Sequence, residues 1–220
     1  IKKRLAKLEV IKAKKDTVRC WDQVSRLLDD MRISGVAPTE KIFREAINAL
    51  VRAKMVDKAH LLIDRMRKSS VPVTNFMLCY MINACKFSME PGKAQTYMNE
   101  LLGNLEREAS EQTEEQKQQN SVLLQNSFTN LINVYARVND AANAEKVFAL
   151  MKENGVSPDT VSYGALLKVY GRLNRLSDAL RVVEEMRTND VTVDVITYHL
   201  LMRSCAVPAE RDQVLAFFDE

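Results

Sequence analysis

The chain has 220 residues, 46% hydrophobic and 28% charged, with only 6 Gly and 5 Pro; that is the composition of a folded, turn-poor protein and excludes disordered and collagen-like classes. No stretch approaches the roughly 18 consecutive apolar residues that a transmembrane helix requires, so no membrane span is expected. The net charge of +3 is unevenly spread: Lys2, Lys3, Arg4, Lys7, Lys12, Lys14, Lys15 and Arg19 against Glu9 and Asp16 give +6 over residues 1–20, leaving 24 basic and 27 acidic residues, or −3, elsewhere.

That distribution argues against one long cationic surface. The basic start reads either as a solvated helix face or as a phosphate-contacting arm. Residue 1 is Ile rather than Met, which reads as an internal fragment with any targeting peptide upstream.

From residue 5 the sequence divides into six segments, 5–39, 40–74, 75–124, 125–159, 160–194 and a truncated 195–220. The step is 35 residues, seen from Met31 to Met66 and again from Met151 to Met186. In 5–39 a stripe of Val24, Leu27, Leu28 and Met31 leads into "MRISGVAP", a helix end followed by a stop: Gly35 for positive φ, Pro38 to block continuation, and Thr39 to cap the next helix. Segment 40–74 carries two stripes with i, i+3, i+4, i+7 spacing, Phe43, Ala46, Ile47, Leu50 and then Ala59, Leu62, Ile63, Met66. Each is one face of an α-helix, so the segment predicts a helical hairpin.

The third segment repeats the pattern with Leu78, Met81, Ile82, Cys85 and Ala94, Tyr97, Met98, Leu101, but is 15 residues longer. Its extra residues fall in "NLEREASEQTEEQKQQN", 104–120. The expectation is a lengthened second helix followed by a polar loop over about 110–124, lying on the convex side as a solvated excursion or a partner-docking element. Segments 125–159 and 160–194 return to 35 residues, with Phe128, Leu131, Ile132, Tyr135 and Tyr163, Leu166, Leu167, Tyr170 in their first halves. Their second halves begin on Ala144 and Ala179, where a small residue allows close helix approach. Tyr198, Leu201, Met202 and Cys205 open the last segment, and Val214, Phe217 and Phe218 close it. One hairpin cannot bury both of its stripes, so the fold class expected is all-α, a solenoid of about six stacked hairpins.

Chemistry is sparse. Cys20, Cys79, Cys85 and Cys205 show no C-x-x-C spacing and no nearby His, against a zinc site or a disulfide framework; Cys85 and Cys205 fall on apolar stripes and read as core. His60 and His199 are far apart, and there is no Gly-rich phosphate loop or deaminase signature. Asp29-Asp30 and Glu184-Glu185 share one offset and read as solvent-facing. The expectation is a non-enzyme with no cofactor and no metal.

The stretches "SFTNLINVYARVNDAANAEKVFALMKENGVSPD" (127–159) and "VSYGALLKVYGRLNRLSDALRVVEEMRTNDVTVD" (161–194) resemble the pentatricopeptide repeat family, and the resemblance extends over the chain from residue 5. The tetratricopeptide repeat, with 34 residues and a W-x2-L-G-x2-Y pattern, does not fit. The resemblance implies binding of single-stranded RNA in a concave groove, one base per repeat, in mitochondria or chloroplasts. By that resemblance Thr129 with Asp159 reads one base, in the family favouring guanine; Gly164 with Asp194 reads the next with little discrimination; and His199 begins a further pair. Val161 and Ile196 sandwich the bases.

The pattern departs at the pairs Glu9 with Thr39 and Arg44 with Thr74, at Cys79, and at Lys41, Phe76 and Asn126 in the sandwich positions. The resemblance therefore places RNA reading in the last two or three repeats and a scaffold in the first. Arg52, Arg137 and Arg172 share one offset, and Lys168 and Arg203 another; these are the candidate phosphate contacts, with solvated surface charge as the alternative. Two functions follow: an organellar RNA-binding protein in transcript processing, stability or translation, or a structural subunit of a large organellar assembly, such as a mitochondrial ribosome or an organellar RNA polymerase, with protein partners of that ribonucleoprotein.

Overall fold

A computed structural model describes residues 17–108, 113–205 and 207–219. The basic stretch before residue 17, Glu9, residues 109–112, and the side chains of Arg19, Cys20, Phe217 and Phe218 lie outside what it describes. Among the described residues there is no strand. The helices run α1 (Thr17–Ile33), α2 (Glu40–Arg52), α3 (Val56–Lys68), α4 (Asn75–Ser88), α5 (Pro91–Glu108), α6 (Glu114–Arg137), α7 (Ala141–Glu153), α8 (Thr160–Leu173), α9 (Leu176–Thr188), α10 (Val195–Met202) and α11 (Pro208–Asp219). None of them is long and apolar enough to cross a membrane.

Two left-handed backbone positions punctuate each 35-residue hairpin, 40–74, 125–159 and 160–194, and each is closed by the same hydrogen bond. At the joints between hairpins, Gly35 and Gly155 take φ of 67° and 71°, and Ser70 and Asp190 take 54° at the matching places. The amides of Val36, Val71, Val156 and Val191 then donate to the carbonyls of Met31, Met66, Met151 and Met186 at 2.9–3.1 Å. This satisfies a carbonyl that the helix end leaves free. Inside the hairpins, Lys54, Met89, Asn139 and Asn174 have positive φ, and Met55, Glu90, Asp140 and Arg175 donate back to Leu50, Cys85, Tyr135 and Tyr170. Asp159 caps α8 as expected, whereas Thr39 makes no side-chain cap at α2.

The first helices α2, α4, α6, α8 and α10 pack side by side, and each second helix packs on its partner and on the first helix that follows. The first helices form an inner layer in mutual contact, and the second helices form an outer layer upon it. Phe43, Leu78, Phe128 and Tyr163 are buried at successive turns of the inner layer, and Ala59, Ala94, Ala144 and Ala179 are fully buried where each second helix begins. The last hairpin departs from expectation. Tyr198 is 39% exposed while Leu200 and Leu201 are buried, and Cys205 is half-buried rather than core, because no further hairpin covers this end among the described residues.

The insertion is a second correction. α5 is lengthened as expected, but residues 114–124, expected in the polar loop, are helical and extend α6 to 24 residues against 13 or 14 for α2, α4 and α8. Gln and Glu favour helix, and Thr113 with Gln116 forms a reciprocal capping box that starts the helix three turns early.

His60 is buried between α3 and α5, with Nδ1 2.7 Å from the Tyr97 hydroxyl, its ring stacked on that of Tyr97 at 5.6 Å, and Nε2 3.4 Å from the Glu90 carboxylate. Burial, reinforced by the Lys93 ammonium and opposed by Glu90 and Asp57, lowers its pKa below the ordinary 6.5.

Two outcomes follow from this packing. Ala179→Asp places an unpaired carboxylate in the hairpin seam and should cost on the order of 3 kcal/mol or more; an unchanged melting curve would show that the seam is not where the helices meet. Because the unfolded chain protonates His60 more readily than the folded one, its contribution to stability is complete above the unfolded pKa and is lost as pH falls through the lowered folded value. Urea midpoints should decline from about pH 7.5 to about pH 5, and decline less in His60→Gln.

Candidate nucleic-acid interface

The first helices share one stripe on which successive residues are four apart; on α6 and α8 it is buried at Thr129 and Gly164 and open at Arg137 and Lys168. On α6 its residues are Thr129, Asn133 and Arg137; on α8, Gly164, Lys168 and Arg172; on α10, His199 and Arg203. Side chains at i and i+4 stand above one another on a helix, so in each column a polar or small residue is followed by cations toward the helix C-terminus.

The cationic ends converge. Arg137, Lys168, Arg172 and Arg203, with Lys86 from α4, line a basin of about 430 Å³ together with Asn130 and Asn133. No carboxylate lines it, and none of these five cations forms an ion pair with a described residue. Partial burial and the charges of Arg137 and Lys168 lower the Lys86 pKa, as expected where like charges crowd. Lys86 also donates to Asn83 Oδ1 at 2.6 Å, and Arg172 to the Ala136 carbonyl at 2.8 Å. Gly171 lets α10 come close to α8: a Cβ there would lie 3.3 Å from the Leu200 carbonyl oxygen and 3.5 Å from Arg203 Cβ. That approach brings Arg203 to the rim. Arg52 is exposed at the end of α2 and does not line the basin.

The base-reading candidates are less open than the cations. Thr129 is buried, with its hydroxyl 2.8 Å from Ser162 Oγ. Ser162 Oγ donates in turn to Asp159 Oδ1 at 2.7 Å, and the Ser162 amide to the same oxygen at 2.8 Å. With the Ser162 proton committed to Asp159, the Thr129 hydroxyl is the donor to Ser162. The two members of the pair are thus joined through a residue of the next hairpin. Gly164 is buried. Asp194 accepts from the Thr197 amide and hydroxyl, both at 2.8 Å, and these bonds lower its pKa. His199 is exposed. Val161 and Ile196 are 62% and 64% exposed at the first turns of α8 and α10, apolar surfaces with nothing yet against them. One hairpin earlier, Cys79 lies 2.8 Å from Ser127 Oγ, and burial pushes its thiol up to about 11.

Lys86, Asn130, Asn133 and Ser162 were not among the candidates. Asn133 follows Thr129 by four residues and could have been found from that spacing; Lys86 lies one place before the offset shared by Arg137 and Arg172, and Phe87 occupies that offset.

Three family models match the chain: a pentatricopeptide repeat domain over residues 114–173, a PPR repeat family over 158–207 and a PPR repeat over 46–71. Among solved structures, nuclear proteinaceous RNase P 2 (PRORP2) from A. thaliana aligns with a TM-score of 0.69 at 14% identity, over 98% of this chain and 46% of that one. The PPR domain of Arabidopsis thaliana protein-only RNase P 1 (PRORP1), in complex with tRNA, aligns at 0.57 and 16% identity over 98% and 96%. PPR10 from maize aligns at 0.50 and 20% identity over 96% and 35%. The chain thus spans about a third of PPR10 and under half of PRORP2, and at these identities the likeness is one of fold. No curated protein matches it.

Asp159→Ala removes both the α8 cap and the link to Thr129. It should cost about 1 kcal/mol of stability, read as a lower thermal midpoint, whereas Asp159→Asn, which keeps a capping acceptor, should stay close to the parent.

Proposed function

Because the chain belongs to the pentatricopeptide repeat family, we propose that it binds single-stranded RNA along the first-helix face of its C-terminal half. What carries this reading is the basin: five cations from four consecutive first helices meet without a counter-charge, on the stripe that also holds Thr129, Gly164 and His199. Such a cluster lowers its own repulsion by taking up phosphate, and releases counterions when it does so. Val161 and Ile196 supply apolar faces for bases, and the accepting pair of Thr129 and Asp159 suits a base edge rich in donors, as guanine's is. Arg137, Lys168, Arg172 and Arg203 take the phosphates in this reading.

The role is one of binding in RNA processing, stability or translation rather than catalysis; the likeness to PRORP1 falls on that protein's PPR domain. An organellar setting, mitochondrion or chloroplast, rests on the family resemblance, and the similarity to a protein described as nuclear means that the fold does not carry the compartment. A second reading, a structural subunit of a large organellar ribonucleoprotein, draws on the N-terminal hairpins. There Arg44 is engaged by Glu40 at 3.5 Å and Cys79 is closed off by Ser127, so the places that would read bases are occupied.

Binding of fluorescent single-stranded RNA pools across a salt series, with single-stranded DNA as control, tests the proposal. Affinity should fall steeply as salt rises from about 50 to about 200 mM. Lys168→Ala and Arg203→Ala should each reduce the slope of log K against log salt by about 1, and Asp159→Asn should shift base preference at little cost to the fold. Absence of RNA binding at the low-salt end would favour the scaffold reading.

A further inference from the structure

The extended start of α6 has no counterpart in its neighbours. Residues 114–124 are helical, whereas α4 and α8 begin at Asn75 and Thr160, the places that match residue 125 in the repeat. These turns, about 16 Å of helix, therefore stand past the N-termini of both flanking first helices. Between them and the joint at residues 72–76 opens a cleft of about 1350 Å³, bordered also by Asn104 and Glu108 of α5.

Both walls of the cleft are partly apolar. The joint supplies Pro72, Val73 and Phe76, and α6 supplies Val122 and Leu123; Phe76 is 52% exposed and Val122 49%. On α6 the lining residues Gln119, Val122, Leu123 and Asn126 fall at i, i+3, i+4 and i+7, which is one stripe of the helix. The wall is thus an amphipathic face, two apolar residues between two amides. A stripe of this spacing packs on a neighbouring helix elsewhere in the solenoid, but at the level of Val122 the flanking first helices have not begun.

Charge selects what can lie on it. Glu108 is the one charged residue in the lining. Glu106, Glu108, Glu114 and Glu115 against Arg107 and Lys117 leave the two helix ends around the cleft at −2. Lys117 is engaged by Glu114 at 2.6 Å, and Arg107 donates to the Gly103 carbonyl and to Asn104. A phosphodiester strand is repelled from such a place, and a cationic partner is drawn to it. The volume exceeds the roughly 300–1,000 Å³ of small-molecule sites. A partner segment in extended form relies on a row of free main-chain groups, and those of α6 are spent within the helix. An amphipathic helix needs only an apolar stripe to lie on.

We propose that the cleft is a protein-docking site whose occupant is a basic amphipathic helix of a partner protein. Apolar side chains of that helix, spaced i and i+3 or i+4, pack on Phe76, Val122 and Leu123, and a Lys or Arg beside them meets Glu108. The site is independent of RNA binding, because the cleft and the basin share no lining residue.

The test pans a phage-displayed library of random peptides, about 16 residues or four helical turns long, against the full chain. Enriched peptides are then made synthetically and titrated by fluorescence anisotropy. Their sequences should combine net positive charge with apolar residues at i and i+3 or i+4. Val122→Glu, at an exposed helical position, should keep the parent melting curve and weaken peptide binding about tenfold or more. Glu108→Gln should weaken it about 2- to 5-fold, and Val122→Glu should bind single-stranded RNA as the parent does. No enrichment, or enriched peptides that bind Val122→Glu as they bind the parent, overturns the proposal. Displacement of the peptide by single-stranded RNA also overturns it and gives the cleft to the strand. A concentration-dependent dimer that Val122→Glu dissolves overturns it in favour of a second copy of this chain.

Discussion

Everything in this molecule depends on the fact that a two-helix hairpin has two apolar stripes and can bury only one of them by itself. Tyr163 packs on Phe148 of the preceding second helix and donates to Glu185 of its own, and Phe43, Leu78 and Phe128 are buried at the matching places, which requires neighbours on both sides. The joints enforce that arrangement. A left-handed residue and one amide-to-carbonyl bond recur after Met31, Met66, Met151 and Met186, and successive first helices lie side by side. Stability is accordingly a matter of nearest neighbours rather than of one central core.

What remains for function is the part of the first helices that stacking does not use. On α6, α8 and α10 that part is a column with a small or polar residue at one end and cations at the other. On α2 and α4 the same column is filled differently, by Arg44 in contact with Glu40 and by Cys79 against Ser127. The surface is therefore polarised along the solenoid. The basin sits where the C-terminal hairpins begin, and the extended α6 stands beside it on the N-terminal side.

Much of this was legible in the residues. The stripes and joints are, because buried positions recur at i, i+3, i+4, i+7 and because the Met that ends the second-helix stripe returns after 35 residues from Met31 to Met66 and from Met151 to Met186. The cations Arg137, Lys168, Arg172 and Arg203 are legible from their shared offsets, although their convergence is a property of helix approach at Gly171 and appears only in three dimensions. Lys86 escaped the offset argument by one residue. The helical character of 114–124 was obscured because Gln and Glu without apolar periodicity look like loop, even though Thr113 and Gln116 stand at the spacing of a capping box. The closed state of Thr129 could not be read from its own segment, since the hydroxyl that occupies it belongs to the next hairpin.

That last feature bears on how such an array can change. Ser127 meets Cys79 and Ser162 meets Thr129, each across a hairpin boundary, while Thr197 turns only to Asp194, Gly164 having no hydroxyl to offer. The residue facing the groove is thus set in one unit and oriented by another. A hairpin transplanted alone would leave its orienting hydroxyl behind and bring one for a neighbour it does not know. The unit that can be exchanged intact is a hairpin plus the first turn of its successor, so recombination at the joints would scramble recognition even where every hairpin still folded.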